Sequence, residues 1–187
     1  MARLPGAAVR AIVRQLTFDG AILARGFWLY IWEIVAPDGR TLHYIGKTGD
    51  KASSVCQSPF NRLTNHLGGN KHSNALTRYL GQMKLHPETC NFRFHAYGPL
   101  FEEKSHKSHG ELCDATSALE KGLADAMTQA GYAVINKVHC RTDLDAAAFV
   151  AVRTAFATHF DKLSSGKSAA TTREFVASAT TRHGGHR

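Results

Sequence analysis

Apolar and polar positions along this chain fall into short blocks with distinct periods. Phe27-Trp-Leu-Tyr-Ile-Trp-Glu-Ile-Val35 is aromatic and β-branched almost throughout, which predicts a strand. Ala36-Pro-Asp-Gly39 follows as a turn, with proline presetting φ and glycine accepting a positive φ. Thr41-Leu-His-Tyr-Ile45 returns as a second strand, and Gly46-Lys-Thr-Gly49 leaves the sheet. The two strands read as a hairpin. Phe92, Phe94 and Ala96 alternate with Arg93, His95 and Tyr97, predicting a third strand.

Helical periods surround these strands. Val9, Ile12, Val13 and Leu16 predict a helix within an N-terminal extension, 1–25. Ser58-Pro59 predicts a capped helix start, and Gly68-Gly69 its end. Ser73 or Asn74 opens another helix through Leu76, Tyr79, Leu80 and Met83. Residues 102–116 are charged and histidine-bearing and read as a loop. A helix is then predicted from Ser117 to about Ala130, ended by Gly131, with Tyr132-Ala-Val-Ile135 as a short apolar segment beyond it. Phe149, Val152, Phe156, Phe160 and Leu163 share one face of a predicted helix over 142–163. The expected organisation is therefore an extension (1–25), a main domain (26–140), a C-terminal helix (141–163) and a basic tail (164–187). The fold class is α+β: a small, mainly antiparallel three-stranded sheet flanked by helices.

Composition narrows the function. In 187 residues, 23 Lys and Arg stand against 15 Asp and Glu, a formal charge of +8. That surplus favours polyanion partners, because Lys and Arg release counterions on meeting phosphates. No apolar run approaches the roughly 20 residues of a membrane span. Arg10, Arg14 and Asp19 interrupt what would be the apolar core of a secretory signal. Cys56, Cys90, Cys113 and Cys140 lack metal-finger spacing, so reduced thiols in a cytoplasmic protein are the expectation.

A few polar residues stand out against this background. Tyr30 and Tyr44 lie on the paired strands, and Arg62 and His66 occupy one helix face at i and i+4. Glu120 lies in the first turn of the helix predicted from Ser117, and Asn136 ends the apolar segment. Each has a plainer reading. The tyrosines fit a sheet core. Arg62 and His66 fit a solvated face, and Asn136 fits a turn. Ser117-Ala-Leu-Glu120 has the spacing of a capping box, in which the carboxylate serves only backbone N–H groups.

The order of these pieces resembles the GIY-YIG nuclease family. Tyr44-Ile45-Gly46 is the second signature intact, and Arg62-x-x-x-His66 is similar to the family's arginine helix. Ala118 to Met127 is similar to the helix bearing the metal-binding glutamate, and Val134-Ile-Asn136 to the closing asparagine. The likeness runs from Phe27 to Lys137. The first signature departs from it, reading Trp28-Leu29-Tyr30, with only the tyrosine kept. The resemblance implies a metal-dependent endonuclease that hydrolyses phosphodiester bonds in DNA. In it Glu120 holds Mg²⁺ (or Mn²⁺), and Tyr44 or Tyr30 helps deprotonate the attacking water, with Tyr44 the first choice and Tyr30 sharing its hydrogen-bond network. Arg62 stabilises the phosphate, His66 relays a proton or holds a phosphate, and Asn136 braces the site. This chemistry is physically reasonable. Mg²⁺ accepts one carboxylate plus waters and substrate phosphate, and arginine offers a rigid fork of donors. A free phenol has a pKa of about 10, so a tyrosine base needs a cation beside it. Lys47, Arg62 and Lys71 are the expected phosphate contacts, with Lys84, Arg93, Lys104, Lys107 and the tail adding grip. A cutter of both strands with one site per chain needs two copies, which raises a homodimer as an open expectation. The alternative is a nucleic-acid-binding module of the same fold without catalysis.

Overall fold

A computed structural model describes residues 12–51, 55–68, 74–101 and 108–164. Its centre is strand β1 (Leu29–Val35), which pairs antiparallel with β2 (Thr41–Lys47) on one side and β3 (Asn91–Tyr97) on the other. β1 is the middle strand, so both its edges are paired, and cores on both faces of the sheet account for its near-continuous apolar run. The hairpin turn closes as its sequence predicts, with Gly39 at φ +83° and its N–H donating to the Ala36 carbonyl. β2 runs two residues further than expected, through Gly46 and Lys47. Trp28 and Thr48 then continue the pairing: the Thr48 N–H donates to the Trp28 carbonyl, and the Trp28 N–H donates to Thr48 Oγ1.

Alternation along β1 sorts its side chains between two cores. Leu29 and Ile31, with Ile45, meet α3 (His109–Gln129), α4 (Ala146–Ala157) and the turn after it. Tyr30, Trp32 and Ile34, with Leu42 and Tyr44, meet Leu76 and Leu80 of α2 (Ala75–Gln82). Helix α1 (Pro59–Leu67) packs beside α2 on that second face through Leu63. Both short helices start as the sequence predicts, with Ser58 and Asn74 as N-caps. The outer edge of β2 is covered as well. His43 N–H donates to the Ala133 carbonyl, and Ile135 N–H to the His43 carbonyl.

Three expectations are corrected. The helix predicted from Ser117 begins two turns earlier, at His109. Its capping box is Ser108 with Glu111, each side chain bonded to the other's backbone N–H. Residues 108–116 are therefore not a loop, and Ser117-x-x-Glu120 lies inside a helix that is already capped. The N-terminal helix does not form over residues 12–19. Ile12, Val13 and Leu16 are exposed, with no partner surface for an apolar stripe, and only a 3₁₀ turn at Gly20–Leu23 follows. Val9 lies outside the described residues. The 142–163 helix starts at Ala146, capped by Asp145, and breaks after Ala157 into a 3₁₀ turn at Asp161–Leu163. Val152, Phe156, Phe160 and Leu163 are nonetheless all buried. The tail beyond Ser164 lies outside the described residues. Among the described residues, no helix is long and apolar enough to cross a membrane.

Candidate active site

Where β1 starts and β2 ends beside α1 and α3, a cleft of about 450 Å³ opens, lined by Tyr30, Tyr44, Lys47, Arg62 and Glu120 among others. These five residues span 90 positions of sequence, and four elements deliver them. Tyr30 and Tyr44 share a face of the sheet through the strand alternation. Gly46 lies opposite Tyr30 in the ladder, and a Cβ at Gly46 would overlap the Tyr30 phenol. The glycine is thus what lets the phenol cross over β2 toward α1.

Helix α1 supplies Arg62 and, one turn on, the buried His66. His66 Nε2 lies 2.7 Å from the Tyr30 hydroxyl. Its ring meets both tyrosines nearly edge-on, with centroids 5.6 Å from Tyr30 and 5.3 Å from Tyr44. Burial and the positive charge of Arg62 push the His66 pKa down to about 4. The imidazole is therefore neutral at neutral pH. Arg62 faces the cleft with its Nε–H buried and no acceptor for it among the described residues. An orphaned guanidinium donor is costly unless a ligand completes it.

Glu120 comes from α3, whose Leu119 and Leu123 pack on the opposite core. Cys113, Ser117 and Glu120 recur at i, i+4 and i+7, so one stripe of α3 lines the cleft. No hydrogen-bond donor or ion-pair partner among the described residues reaches the Glu120 carboxylate. Desolvation raises its pKa to about 7, against the lowering pull of Lys47 and Arg62. A carboxylate short of donors in a cleft is a ready oxygen ligand. Asp50 also lines the cleft. Among the described residues, no three His, Cys, Asp or Glu side chains converge on one point. The donor set therefore fits a hard cation held by one or two carboxylates, waters and a ligand's own oxygens, not a closed zinc site.

Both phenols are held protonated. Burial drives Tyr30 far above its ordinary value, with Arg62 pulling the other way. Burial and the Glu120 charge push Tyr44 up to about 12, opposed by Arg62. The cationic neighbour that a tyrosine base requires is present, but here it does not overcome desolvation.

Asn136 stands behind the site and clamps β2. Its Oδ1 accepts from Ile45 N–H at 3.0 Å and its Nδ2 donates to the Ile45 carbonyl at 2.7 Å. This satisfies both edge-facing groups of the residue between Tyr44 and Gly46. The Lys47 ammonium lines the cleft and donates to the Gly49 carbonyl. Lys71, Lys104 and Lys107 lie outside the described residues. Lys84 and Arg93 do not line the cleft, and Arg93 pairs instead with Glu33 at 2.7 Å.

Several cleft members carried no sequence signal. Asp50 and Lys51 sit in a polar loop, and Lys51 is tied to Asp114 at 2.6 Å. Cys113 and Ser117 would have been found from the i, i+4, i+7 stripe once α3 was extended to its true start. Outside the cleft, Tyr79 of α2 brings its ring centroid within 6.2 Å of Tyr44, a contact between elements that local patterning does not reveal. The chain matches no protein-family model, no curated protein and no solved structure.

Proposed function

We propose that the protein is a metal-dependent endonuclease that hydrolyses phosphodiester bonds in DNA, with a site of the GIY-YIG kind. The observation that carries the reading is the meeting of Tyr30, Tyr44, Arg62 and Glu120 in one cleft. Their plainer readings give them no reason to meet. A capping role for Glu120 would have required a helix start at Ser117, and the helix starts at His109.

Each residue has a chemical task in this proposal. The unsatisfied Arg62 Nε–H and the guanidinium charge bind the scissile phosphate and the negative charge that grows on it. Glu120, with Asp50 nearby, would hold Mg²⁺ or Mn²⁺, which supplies charge neutralisation at the phosphate and the leaving oxygen. Tyr44, after giving up its own proton to solvent, would take the proton from the attacking water as the phenolate. Part of its raised pKa comes from the negative charge of Glu120, so neutralising Glu120 makes the phenol a more accessible phenolate. Neutral His66 accepts from or donates to the Tyr30 hydroxyl, keeping a proton path open behind the two rings. Asn136 fixes the β2 backbone and with it the position of Tyr44. Lys47 contributes positive charge at the cleft wall.

Nicking of supercoiled plasmid tests the proposal, comparing Mg²⁺ with EDTA and wild type with Glu120→Ala. The expected result is cleavage that needs the metal and disappears in the variant. Salt-sensitive DNA binding by a folded protein that cleaves no plasmid or structured DNA would instead indicate a non-catalytic binding module.

A further inference from the structure

A second cavity lies beside the cleft and has no role in the chemistry above. It measures about 540 Å³ and is walled by Leu42, Tyr79, Met83 and Ile135, with Arg40 and Gln82 among its polar members. It adjoins the cleft along one strand. Leu42 lines the cavity, while Tyr44 and Gly46, on the same face of β2, line the cleft. At about 3.4 Å per residue, Leu42 and Tyr44 are about 7 Å apart along the strand. Tyr79 belongs to the cavity and Tyr44 to the cleft, and their ring centroids are 6.2 Å apart. The two tyrosines are the partition between the spaces.

The lining suits one kind of occupant. A nucleobase has apolar faces, a hydrogen-bonding edge and an anionic phosphate attached. The cavity has an aromatic ring and aliphatic walls, and its exposed Gln82 amide has no partner among the described residues. Arg78 places its guanidinium 5.6 Å from the centroid of the Tyr79 ring, and among the described residues it pairs with no carboxylate. Arg40 is already paired with Asp38 at 2.7 Å, which leaves Arg78, over the Tyr79 ring, as a cation that no carboxylate among the described residues holds. Aromatic side chains with adjacent arginine are how proteins hold unstacked bases.

We infer that this cavity receives an unstacked nucleobase of the strand whose phosphate occupies the cleft, one or two nucleotides from the scissile bond. The inference rests on the nuclease reading for its ligand. It goes further in substrate class: the preferred DNA carries an unpaired or readily extruded nucleotide near the cut, since a stacked and paired base cannot enter.

The test uses full-length protein in EDTA, so that nothing is cut. Oligonucleotides carry 2-aminopurine either in a one-nucleotide bulge or in a fully paired duplex of equal length. Wild type is expected to bind the bulged DNA about tenfold more tightly, the order expected for one base stacked on an aromatic ring, and to change its 2-aminopurine emission. Tyr79→Ala, which removes the platform, and Met83→Trp, which fills the cavity, are each expected to bring that preference within twofold. Affinity for paired duplex should stay within twofold of wild type, which an unfolded variant would not manage. Equal binding of both DNAs by wild type, or a preference and emission change that survive both substitutions, would overturn the inference. The nuclease reading fails separately. Preference lost by both variants, in a protein that never cleaves with Mg²⁺, leaves the base site standing and removes the catalysis.

Discussion

Glu120 gives the sharpest test of the site, because its role sets stability against function. The structure holds its carboxyl in a desolvated cleft with a pKa raised from 4.5 to about 7. A raised carboxyl pKa means that the folded state binds the proton more tightly than the unfolded chain does. Its stabilising contribution is complete below pH 4.5 and is lost as pH rises through about 7. That interval corresponds to about 3 kcal/mol, and the side chain's partial exposure to the cleft reduces the effective figure to about 2 kcal/mol. Glu120→Gln keeps the shape and removes the charge. Without metal, the variant is expected to match wild type at pH 4 and to exceed it by about 2 kcal/mol at pH 8. For a chain of this size that is about 4–8 °C in Tm. Mg²⁺ should then reverse the order. At a hundredfold excess over its Kd it adds about 2.7 kcal/mol to a protein that binds it, and the glutamine variant has lost the ligand. Thermal melts at pH 4 and 8, each with EDTA and with Mg²⁺, check all four states. Equal melting of the two proteins at pH 8 in EDTA would refute the desolvated carboxylate. A Mg²⁺ shift of equal size in both would refute the metal role.

Three further outcomes are expected. His66→Gln removes a group whose pKa burial and Arg62 depress from 6.5 to about 4. Wild type should therefore lose about 3 kcal/mol relative to the variant as pH falls from 6.5 to 4, measured by urea midpoints across that range. Gly46→Ala drives a methyl into the phenol of Tyr30, which Phe94 backs at 5.3 Å between centroids. The cost should be about 1–3 kcal/mol and should shrink in a Tyr30→Leu background, a coupling that a double-mutant cycle reads directly. Asn136→Ala leaves both edge groups of Ile45 without their partner and should cost about 1–3 kcal/mol. Its amide exchange should accelerate at Ile45 before it does at Ile31.

The strands, the hairpin and the two short helices were legible because their signals are local. Proline and glycine mark the turn, Ser58-Pro59 and Asn74 mark helix starts, and alternation marks the faces. The site residues were legible through their order along the chain. What failed was long helix α3, and the reason is physical. Its first two turns carry His109, Glu111 and Asp114 beside Leu112 and Cys113, so the apolar stripe is diluted by polar side chains, of which Glu111 caps the helix and Asp114 pairs with Lys51. A genuine capping box at Ser108 was hidden in charged sequence, while a decoy with the same spacing sat at Ser117. The N-terminal stripe of Ile12, Val13 and Leu16 has the right period and finds no surface to pack on, and a period alone does not make a helix. The approach of Tyr79 to Tyr44, and hence the second cavity, depends on how two elements dock and has no trace in either one.

The clamp between Asn136 and Ile45 joins residues 91 positions apart. A ribosome delivers this chain from its N-terminus, so the tyrosines and Arg62 emerge long before Glu120, and Asn136 emerges later still. Throughout that interval β2 has a bare outer edge, which residues 133–136 have yet to cover. The side of the cleft that carries Tyr30, Tyr44 and Arg62 is thus synthesised ahead of its carboxylate and its brace, and long-range closure of this kind is slow to form. The cleft is therefore completed only after α3 and residues 133–136 have been made.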